Sequence, residues 1–234
     1  MNVRCVWEHN GSDTILYADG FPGAFARGES LETAKKKIPG EIASYCRWAG
    51  MACPEGVEVE ILQEKDSDLQ IRDADSDVLF DSERAPLSRE EYERLKALVL
   101  RSAADFHALY ESVPEKEKSC LPPRRTFYGD VPRTAEEMYR HTRSVNAYYF
   151  AEIGVEADNE GTILECRERG FAALEKVPGF LEREAEEGSY GEWWSLRKVL
   201  RRFLWHDRIH GKAMVRMAGK TFGKEGICDP FRFT

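Results

Sequence analysis

Apolar and polar residues alternate in short runs over the first part of the chain. Two of these runs, 3–9 (VRCVWEH) and 14–19 (TILYAD), are rich in Val, Ile, Trp and Tyr and are joined by Asn10-Gly11, a dipeptide that favours a tight hairpin turn. A third run, 57–62 (VEVEIL), alternates apolar and charged positions. The pattern predicts two antiparallel strands joined by a hairpin, followed later by a further strand.

The segment between the hairpin and the third strand has the apolar spacing of an α-helix. Ser30 is suited to be an N-cap, and the apolar residues after it recur at helical spacing: Leu31, Ala34, Ile38, Ile42 and Tyr45. Pro39-Gly40 interrupts this run, so we expect a kink or two short helices. Residues 1–63 are thus predicted to form an α+β domain. The polar, acidic segment 64–87 is predicted to be a linker with a short strand at 78–80.

From residue 88 onward the apolar residues recur at the spacing of long amphipathic helices. Each of the helix starts carries a capping box, in which a Ser or Thr side chain and a Glu three residues later satisfy free backbone N–H groups: Ser88 with Glu91, Thr134 with Glu137, Thr162 with Glu165, and Ser189 with Glu192. The predicted helices are 89–112, 135–153, 161–177 and 190–218. We expect an all-α four-helix bundle over 88–220 and a C-terminal tail over 221–234.

Composition narrows the classes of protein that fit. The 234 residues are 42% hydrophobic and 32% charged, without an apolar run long enough to span a membrane, so no membrane crossing is expected. The N-terminus lacks the apolar core of a secretory signal, which predicts a cytoplasmic location. The net charge of −8 disfavours nonspecific nucleic-acid binding. A basic run over 197–224 is interpreted as the solvated face of a long helix, and the alternative is that it binds an anionic small molecule or nucleic acid.

The cysteines show no spacing typical of a metal site. Six are scattered along the chain without a CxxC pair: Cys5, Cys46, Cys53, Cys120, Cys166 and Cys228. In a cytosolic protein this pattern predicts reduced cysteines that mostly serve packing, with neither a disulfide framework nor a zinc-cysteine site.

Two histidines interrupt the apolar stripe of the last helix. His206 and His210 lie four residues apart in FLWHDRIHGKAMVRM, at positions that face the core of a bundle. On the second helix of the bundle, His141 falls on the stripe through Met138 and Val145. Gly211, beside His210, costs about 1 kcal/mol relative to alanine in a helix, which predicts a close approach of another helix or an opening toward the metal there.

Three inward imidazoles can share one metal ion, and three protein ligands leave a coordination position for water or substrate. Zinc, nickel, copper and iron all suit imidazole ligands. The alternative is that the three are separate core histidines, each hydrogen-bonded and without metal. His107 lies off the main stripe of its helix and His9 falls in the other domain, so neither is included in the site.

The C-terminal part resembles the DinB superfamily of four-helix bundles, also called DinB/YfiT-like. The resemblance covers roughly residues 88–218 and is carried by MYRHTRSVNAYYF, by the proline-containing connection 113–133 before it, and by WWSLRKVLRRFLWHDRIHGKAMVRM. It implies a divalent metal, most often zinc or nickel, on His141, His206 and His210. It also implies thiol S-transfer or isomerisation with a low-molecular-weight thiol such as bacillithiol or mycothiol, an electrophilic cosubstrate, and homodimerisation.

Residues 2–62 resemble HicB-like domains. A strand hairpin followed by FPGAFARGESLETAKKKI, with its Pro-Gly turn, Ser cap and helix, carries this resemblance. It implies an accessory or interaction module that binds a protein partner.

Two functions follow as expectations. The first is a metal-dependent thiol S-transferase that activates a low-molecular-weight thiol or water. The second is a non-catalytic, metal-binding regulatory protein that contacts a partner through the HicB-like domain.

Overall fold

The alternating runs at the N-terminus form a mixed four-stranded sheet. Its strands are β1 (Asn2–Asn10), β2 (Asp13–Ala18), β3 (Phe25–Gly28) and β4 (Glu58–Asp66), in the order β3-β2-β1-β4. β1 pairs antiparallel with β2 and parallel with β4. Helix α1 (Leu31–Ala49) contacts β2 and β3. It buries most of the apolar residues that recur at helical spacing, namely Ala34, Ile38, Ile42 and Tyr45. An α+β N-terminal region is therefore confirmed.

The structure, a computed structural model, describes residues 2–233. The chain divides into two units: residues 1–87 together with 182–205, and residues 88–181 together with 206–234. This division differs from the predicted domains, because the chain returns to the first unit between 182 and 205, inside the range predicted for the bundle.

Helix α1 is continuous from Leu31 to Ala49, so the alternative of two short helices at Pro39-Gly40 is wrong. Pro39 removes one backbone hydrogen bond, but both Pro39 and Gly40 lie on the exposed face, while Ile38 and Ile42 stay fully buried on the other. The Ser30 hydroxyl accepts from the Thr33 N–H at 3.2 Å, as the capping pattern predicts. Burial of the apolar face thus outweighs the one lost bond.

The segment predicted as a linker is part of the first unit. Strand β4 extends to Asp66, and the expected strand at 78–80 is absent from the structure. Val78 and Phe80 are nevertheless buried, and so is Ile71 in a short 3-10 turn. A segment with this many polar residues packs because its few apolar side chains are buried and its polar groups find fixed partners.

The second unit is helical, as predicted. It contains α2 (Arg89–Ser112), α3 (Ala135–Ala151), α4 (Ile163–Leu174) and residues 206–222 of α5 (Leu196–Phe222). The capping boxes predicted at Ser88, Thr134 and Thr162 are all formed. A short hairpin of β5 (Arg125–Thr126) and β6 (Gly129–Asp130) lies in the connection between α2 and α3. None of the helices within residues 2–233 has the length and apolar character of a membrane span.

The fourth predicted capping box, Ser189 with Glu192, does not form, and α5 begins at Leu196 rather than at residue 190. Residues 189–191 form a 3-10 turn between the short strands β7 (Glu186–Glu187) and β8 (Trp193–Trp194). The Ser195 hydroxyl instead accepts from the Lys198 N–H at 3.1 Å. The Trp194 side chain is fully buried. Burial of a tryptophan next to the predicted cap favours the extended backbone over an early helical turn.

Part of the basic run is buried, at Lys198, Arg201 and Arg208, whereas Arg216, Lys220 and Lys224 are exposed, so the interpretation as a solvated face fits only the C-terminal end of the run. In the first unit, the Lys198 ammonium donates to the Asp77 carbonyl at 2.6 Å and pairs with Glu192 at 2.8 Å. Desolvation lowers the pKa of Lys198 to about 8. Arg201 forms an ion pair with Glu83, and both are buried. The partners of these cations lie far away in sequence, so the local charge pattern could not reveal them.

A buried carboxylate lies between β1 and the segment after β4. The Ser76 hydroxyl donates to Glu8 at 2.5 Å and accepts from the Tyr17 hydroxyl at 2.7 Å. The Asp77 N–H also donates to Glu8 at 3.3 Å, and the Lys65 ammonium lies 3.9 Å away. Desolvation raises the pKa of Glu8 to about 7 because these contacts only partly compensate for its complete burial.

Glu8 should therefore make the first unit less stable as the pH rises. The folded protein holds the proton up to about pH 7, whereas the unfolded chain releases it near 4.5. This stabilisation is complete below pH 4.5 and is lost as the pH rises through 7, by about 3 kcal/mol in all. Glu8→Gln keeps an acceptor but cannot titrate, so it should remove this loss.

Urea unfolding of the full chain between pH 5 and about pH 8, followed by tryptophan fluorescence, measures the effect. All five tryptophans lie in the first unit, so the signal reports on that unit. Glu58→Gln, at an exposed position of β4, is the matched control and should keep the wild-type pH dependence. The same pH dependence in Glu8→Gln and wild type would contradict the assignment.

Candidate metal centre

Three imidazoles from two helices converge in the second unit. His206 and His210 lie one turn apart on α5, with ring centroids 4.5 Å apart. His141 of α3 lies 5.0 Å from His206 and 4.7 Å from His210 between ring centroids. One ligand nitrogen from each ring lies within 4.8 Å of the others, so the three could hold a metal ion. Within residues 2–233, this is the single group of His, Cys, Asp or Glu side chains that meets that condition.

The three histidines differ in exposure. His206 is 6% exposed, His210 is half-buried, and His141 is exposed. The expectation that His141 points into the core is therefore wrong, although its ring still reaches the other two. The cluster is closed at His206 and open to solvent at His141.

The buried stripe of α3 explains why His141 lies at an edge. The stripe runs through Met138, Thr142, Asn146 and Tyr149, one position away from the predicted stripe through His141. The Thr142 hydroxyl donates to the Met138 carbonyl at 2.8 Å. Because this polar group is satisfied within its own helix, Thr142 can be buried, which a count of apolar residues does not detect.

Asn146 is the second polar member of the buried stripe. Its amide donates to the Asp158 carbonyl at 2.7 Å and to the Cys166 carbonyl at 3.2 Å. These bonds attach α3 to the loop before α4 and to α4 itself. Asn146 therefore helps to fix the helix that carries His141, and sequence reasoning missed it.

An ion pair anchors α5 beside His206. The Arg167 guanidinium of α4 donates to both carboxylate oxygens of Asp207, at 2.6 and 3.2 Å, and both side chains are fully buried. Desolvation raises the pKa of Asp207, while the Arg167 charge opposes that shift. Asp207 points away from the imidazole cluster, as expected for the residue after His206 on a helix. The pair fixes the rotation of α5 where the ligands begin.

The aromatic side chain next to His206 is Tyr149. This residue is 2% exposed, and its ring lies edge-on to the His206 ring with centroids 6.2 Å apart. The contact packs one side of the imidazole and limits its rotation.

Gly211 makes room for the C-terminal tail. A β-carbon at Gly211 would lie 3.2 Å from a ring atom of Phe231 and 3.3 Å from one of Phe233. These two rings stack with centroids 5.1 Å apart, and the Arg208 guanidinium lies 5.1 Å from the Phe233 ring. Gly211 thus allows a close approach, but the approaching segment is the C-terminal tail and not the helix that was predicted.

The donor set fits a divalent transition metal. The His141 residue borders solvent, but its ring is partly desolvated where it packs against the other two imidazoles, which lowers its pKa and favours the neutral form that ligates metals. Nitrogen atoms that share a zinc ion at roughly 2.0–2.1 Å lie at most about 4.2 Å apart. The three ligand nitrogens already lie within 4.8 Å of one another, so small side-chain rotations would bring them to zinc-binding distances. Three imidazoles alone leave a coordination position free for water or substrate.

The remaining histidines have other partners. His107 of α2 shares a hydrogen bond with the Tyr139 hydroxyl at 2.9 Å. His9, in the first unit, lies 3.1 Å from the Glu64 carboxylate. Neither belongs to the cluster.

Comparison with known proteins gives no independent assignment. The sequence matches no protein-family profile, and no curated protein or solved structure proved similar. The chemistry of the site therefore has to be argued from its own residues.

Asp207→Asn should destabilise the second unit by about 3–5 kcal/mol, because it leaves the Arg167 charge buried without a counter-ion. Far-ultraviolet circular dichroism during urea unfolding measures the change. Asp158→Asn removes the carboxylate of the exposed Asp158–Arg169 pair and should change stability little. Equal stabilities of the two variants would contradict an anchoring role for Asp207.

Proposed function

We propose that the second unit is a metal-dependent enzyme of the DinB-like thiol S-transferase type. The observation that carries this proposal is the convergence of His141, His206 and His210 from α3 and α5. The resemblance to the DinB superfamily supports this proposal, because these histidines occur on the helices where that family has its metal ligands. The long connection that precedes α3 is a second shared feature.

The three imidazoles would hold a divalent cation, with zinc or nickel as the proposed ions. A cation bound there supplies Lewis acidity, which lowers the pKa of a thiol or of water at its open position. The His206 ring contacts Tyr149, and the residue after it, Asp207, anchors this turn of α5 through its ion pair with Arg167. His141 and His210 border the open side, where the thiol and its electrophilic partner would enter.

Metal binding is tested by elemental analysis of the full-length protein and by titration with zinc and nickel. Wild type should bind one ion per chain, and the double variant His206→Ala/His210→Ala should bind none. His107→Ala removes a histidine outside the cluster and should bind like wild type. Equal metal content in wild type and the double variant would refute the site.

His141→Ala tests the open side of the site separately. Because His141 is exposed, the variant should fold normally. Loss of a direct ligand should weaken zinc binding by more than the roughly 10–100-fold typical of a changed neighbour of a ligand. Unchanged affinity would mean that α5 alone binds the ion.

Catalysis is tested by incubating the metal-loaded protein with bacillithiol, mycothiol or glutathione and with monochlorobimane. In thiol transfer the sulfur forms a bond to the bimane carbon and chloride leaves, which produces fluorescence. The rate should be lost in His206→Ala/His210→Ala and kept in His107→Ala. Metal binding without turnover for any thiol would favour the second proposed function.

That second function is a metal-binding regulatory protein, in which the ion stiffens the helical unit and the HicB-like first unit binds a protein partner. One observation favours it. Strand β4 is an edge of the sheet, where the strand of a partner can add by backbone hydrogen bonding. Leu62 on this strand is 46% exposed, which offers an apolar contact beside that edge.

A further inference from the structure

The two imidazoles of α5 lie on successive turns of the helix, and different contacts pack the two turns. Asp207 directly follows His206, and its buried ion pair with Arg167 anchors the first turn. His210, on the next turn, is half-buried. This second turn contacts the part of the C-terminal tail that follows α5, residues 223–233.

Phe233 of the tail lies against α5 both before and after His210 in the sequence. The centroid of its ring is 5.1 Å from the Arg208 guanidinium and 5.5 Å from the Lys212 ammonium. Arg208 and Lys212 are at i and i+4 and therefore share one face of the helix. Both cations are attracted to the aromatic ring. The ring thus spans the turn that includes His210.

Phe231 supplies the buried part of the same contact. It is 0% exposed, and its ring stacks with that of Phe233 at a centroid distance of 5.1 Å. A β-carbon at Gly211 would lie 3.2 Å from the Phe231 ring and 3.3 Å from the Phe233 ring. Gly211 thus leaves the space that the two rings occupy, and their removal from water favours the packed tail.

The backbone of the tail turns so that both rings face α5. The Arg232 N–H donates to the Asp229 carbonyl at 3.1 Å, which closes a turn that contains Pro230. Asp and Pro are favoured at the first two positions of such a turn. Arg232 itself has a φ of 56°, a left-handed conformation that is uncommon for a residue other than glycine. Such a conformation persists where the surrounding contacts determine it.

A second contact fixes the start of this turn to another helix. The Cys228 N–H donates to the Ser112 hydroxyl at 3.0 Å, and Ser112 is the last residue of α2. The tail is therefore attached to α2 as well as to α5, and all of these residues belong to the second unit.

We propose that Phe231 and Phe233 are positioning residues of the metal centre, which fix the turn of α5 that carries His210 and thereby raise the affinity of the three imidazoles for the ion. This inference rests on the proposed metal site. A ligand that is already held in place loses less conformational freedom when the ion binds, so binding is tighter. The two ligands of α5 would then be fixed separately, His206 by the ion pair of Asp207 and His210 by the tail.

The zinc affinity of the full chain, measured by competition with a chromogenic chelator, tests the proposal. Phe233→Ala changes a half-buried residue, so it should fold normally. It should weaken zinc binding by about 10-fold, as is typical of a changed neighbour of a ligand. Phe231→Ala should weaken binding further, because this ring is the fully buried one. Phe231→Leu keeps most of the apolar volume and should recover most of the affinity.

Phe180→Ala is the matched control for a general loss of stability. Phe180 is also a buried phenylalanine of the second unit, but its ring packs on Tyr92 of α2, with centroids 5.0 Å apart. The variant loses a ring of the same size away from α5 and should keep the zinc affinity of wild type.

Gly211→Ala perturbs the same contact from the helix. The added methyl group should push the two rings away and weaken zinc binding, by less than Phe231→Ala does. Alanine has a higher helix propensity than glycine, so this weakening could not come from a less stable helix. Tighter zinc binding by Gly211→Ala would contradict the proposal.

Hydrogen exchange of the metal-free protein shows whether the tail acts locally. In Phe233→Ala, the peptide of α5 around His210 should exchange faster than in wild type, because less of it is packed. The peptide of α3 around His141 should exchange at the wild-type rate. An equal increase in both helices would indicate a general loss of stability and would overturn the positioning role.

Failure of the metal site and failure of this inference give different results. If wild type binds no zinc, the metal site itself is refuted. If wild type binds zinc and both Phe231→Ala and Phe233→Ala bind it equally tightly, only the positioning role is overturned. The positioning role is also overturned if Phe180→Ala weakens zinc binding as much as Phe231→Ala does.

Discussion

The helical unit depends on the ion pair between Arg167 and Asp207. Both side chains are fully buried, and either charge alone would be strongly destabilising in that environment. The two-point hydrogen bonding between them sets both the distance between α4 and α5 and the rotation of α5. His206 precedes Asp207 and projects from a neighbouring face of the helix, so the pair also determines where the first imidazole points. His210 follows one turn later on the same face.

The elements that the sequence predicted best are those specified by neighbouring residues. Helix α2 has the predicted bounds 89–112, because its capping box and apolar period are both local signals. Helix α5 was predicted less well. Its start depends on the burial of Trp194, and its buried cations depend on partners distant in sequence, such as Glu83 for Arg201. Charge patterning along one helix cannot reveal a counter-ion from another segment.

The imidazole cluster was predictable as a set of residues but not in its exposure. The spacing of His206 and His210 correctly indicated one face of α5. The buried stripe of α3 was predicted one position away because Thr142 and Asn146 look polar in sequence. Both side chains are buried, and the Thr142 hydroxyl and the Asn146 amide nitrogen donate to backbone carbonyls. His141 is therefore at the edge of that stripe. Its ring still reaches the other two, since an edge position on α3 borders both the core and solvent.

This edge position decides what the cluster can do chemically. Three equally buried histidines would form a closed site suited to a structural ion, whereas here exposure rises from His206 through His210 to His141. The stacked rings of Phe231 and Phe233 pack on α5 at Gly211, which adjoins His210 but lies on a different face of the helix. The tail therefore covers the neighbouring face, and solvent reaches the cluster from the side of His141. Exposure that increases toward one ligand is the arrangement that would let a small molecule approach an ion held by the three imidazoles.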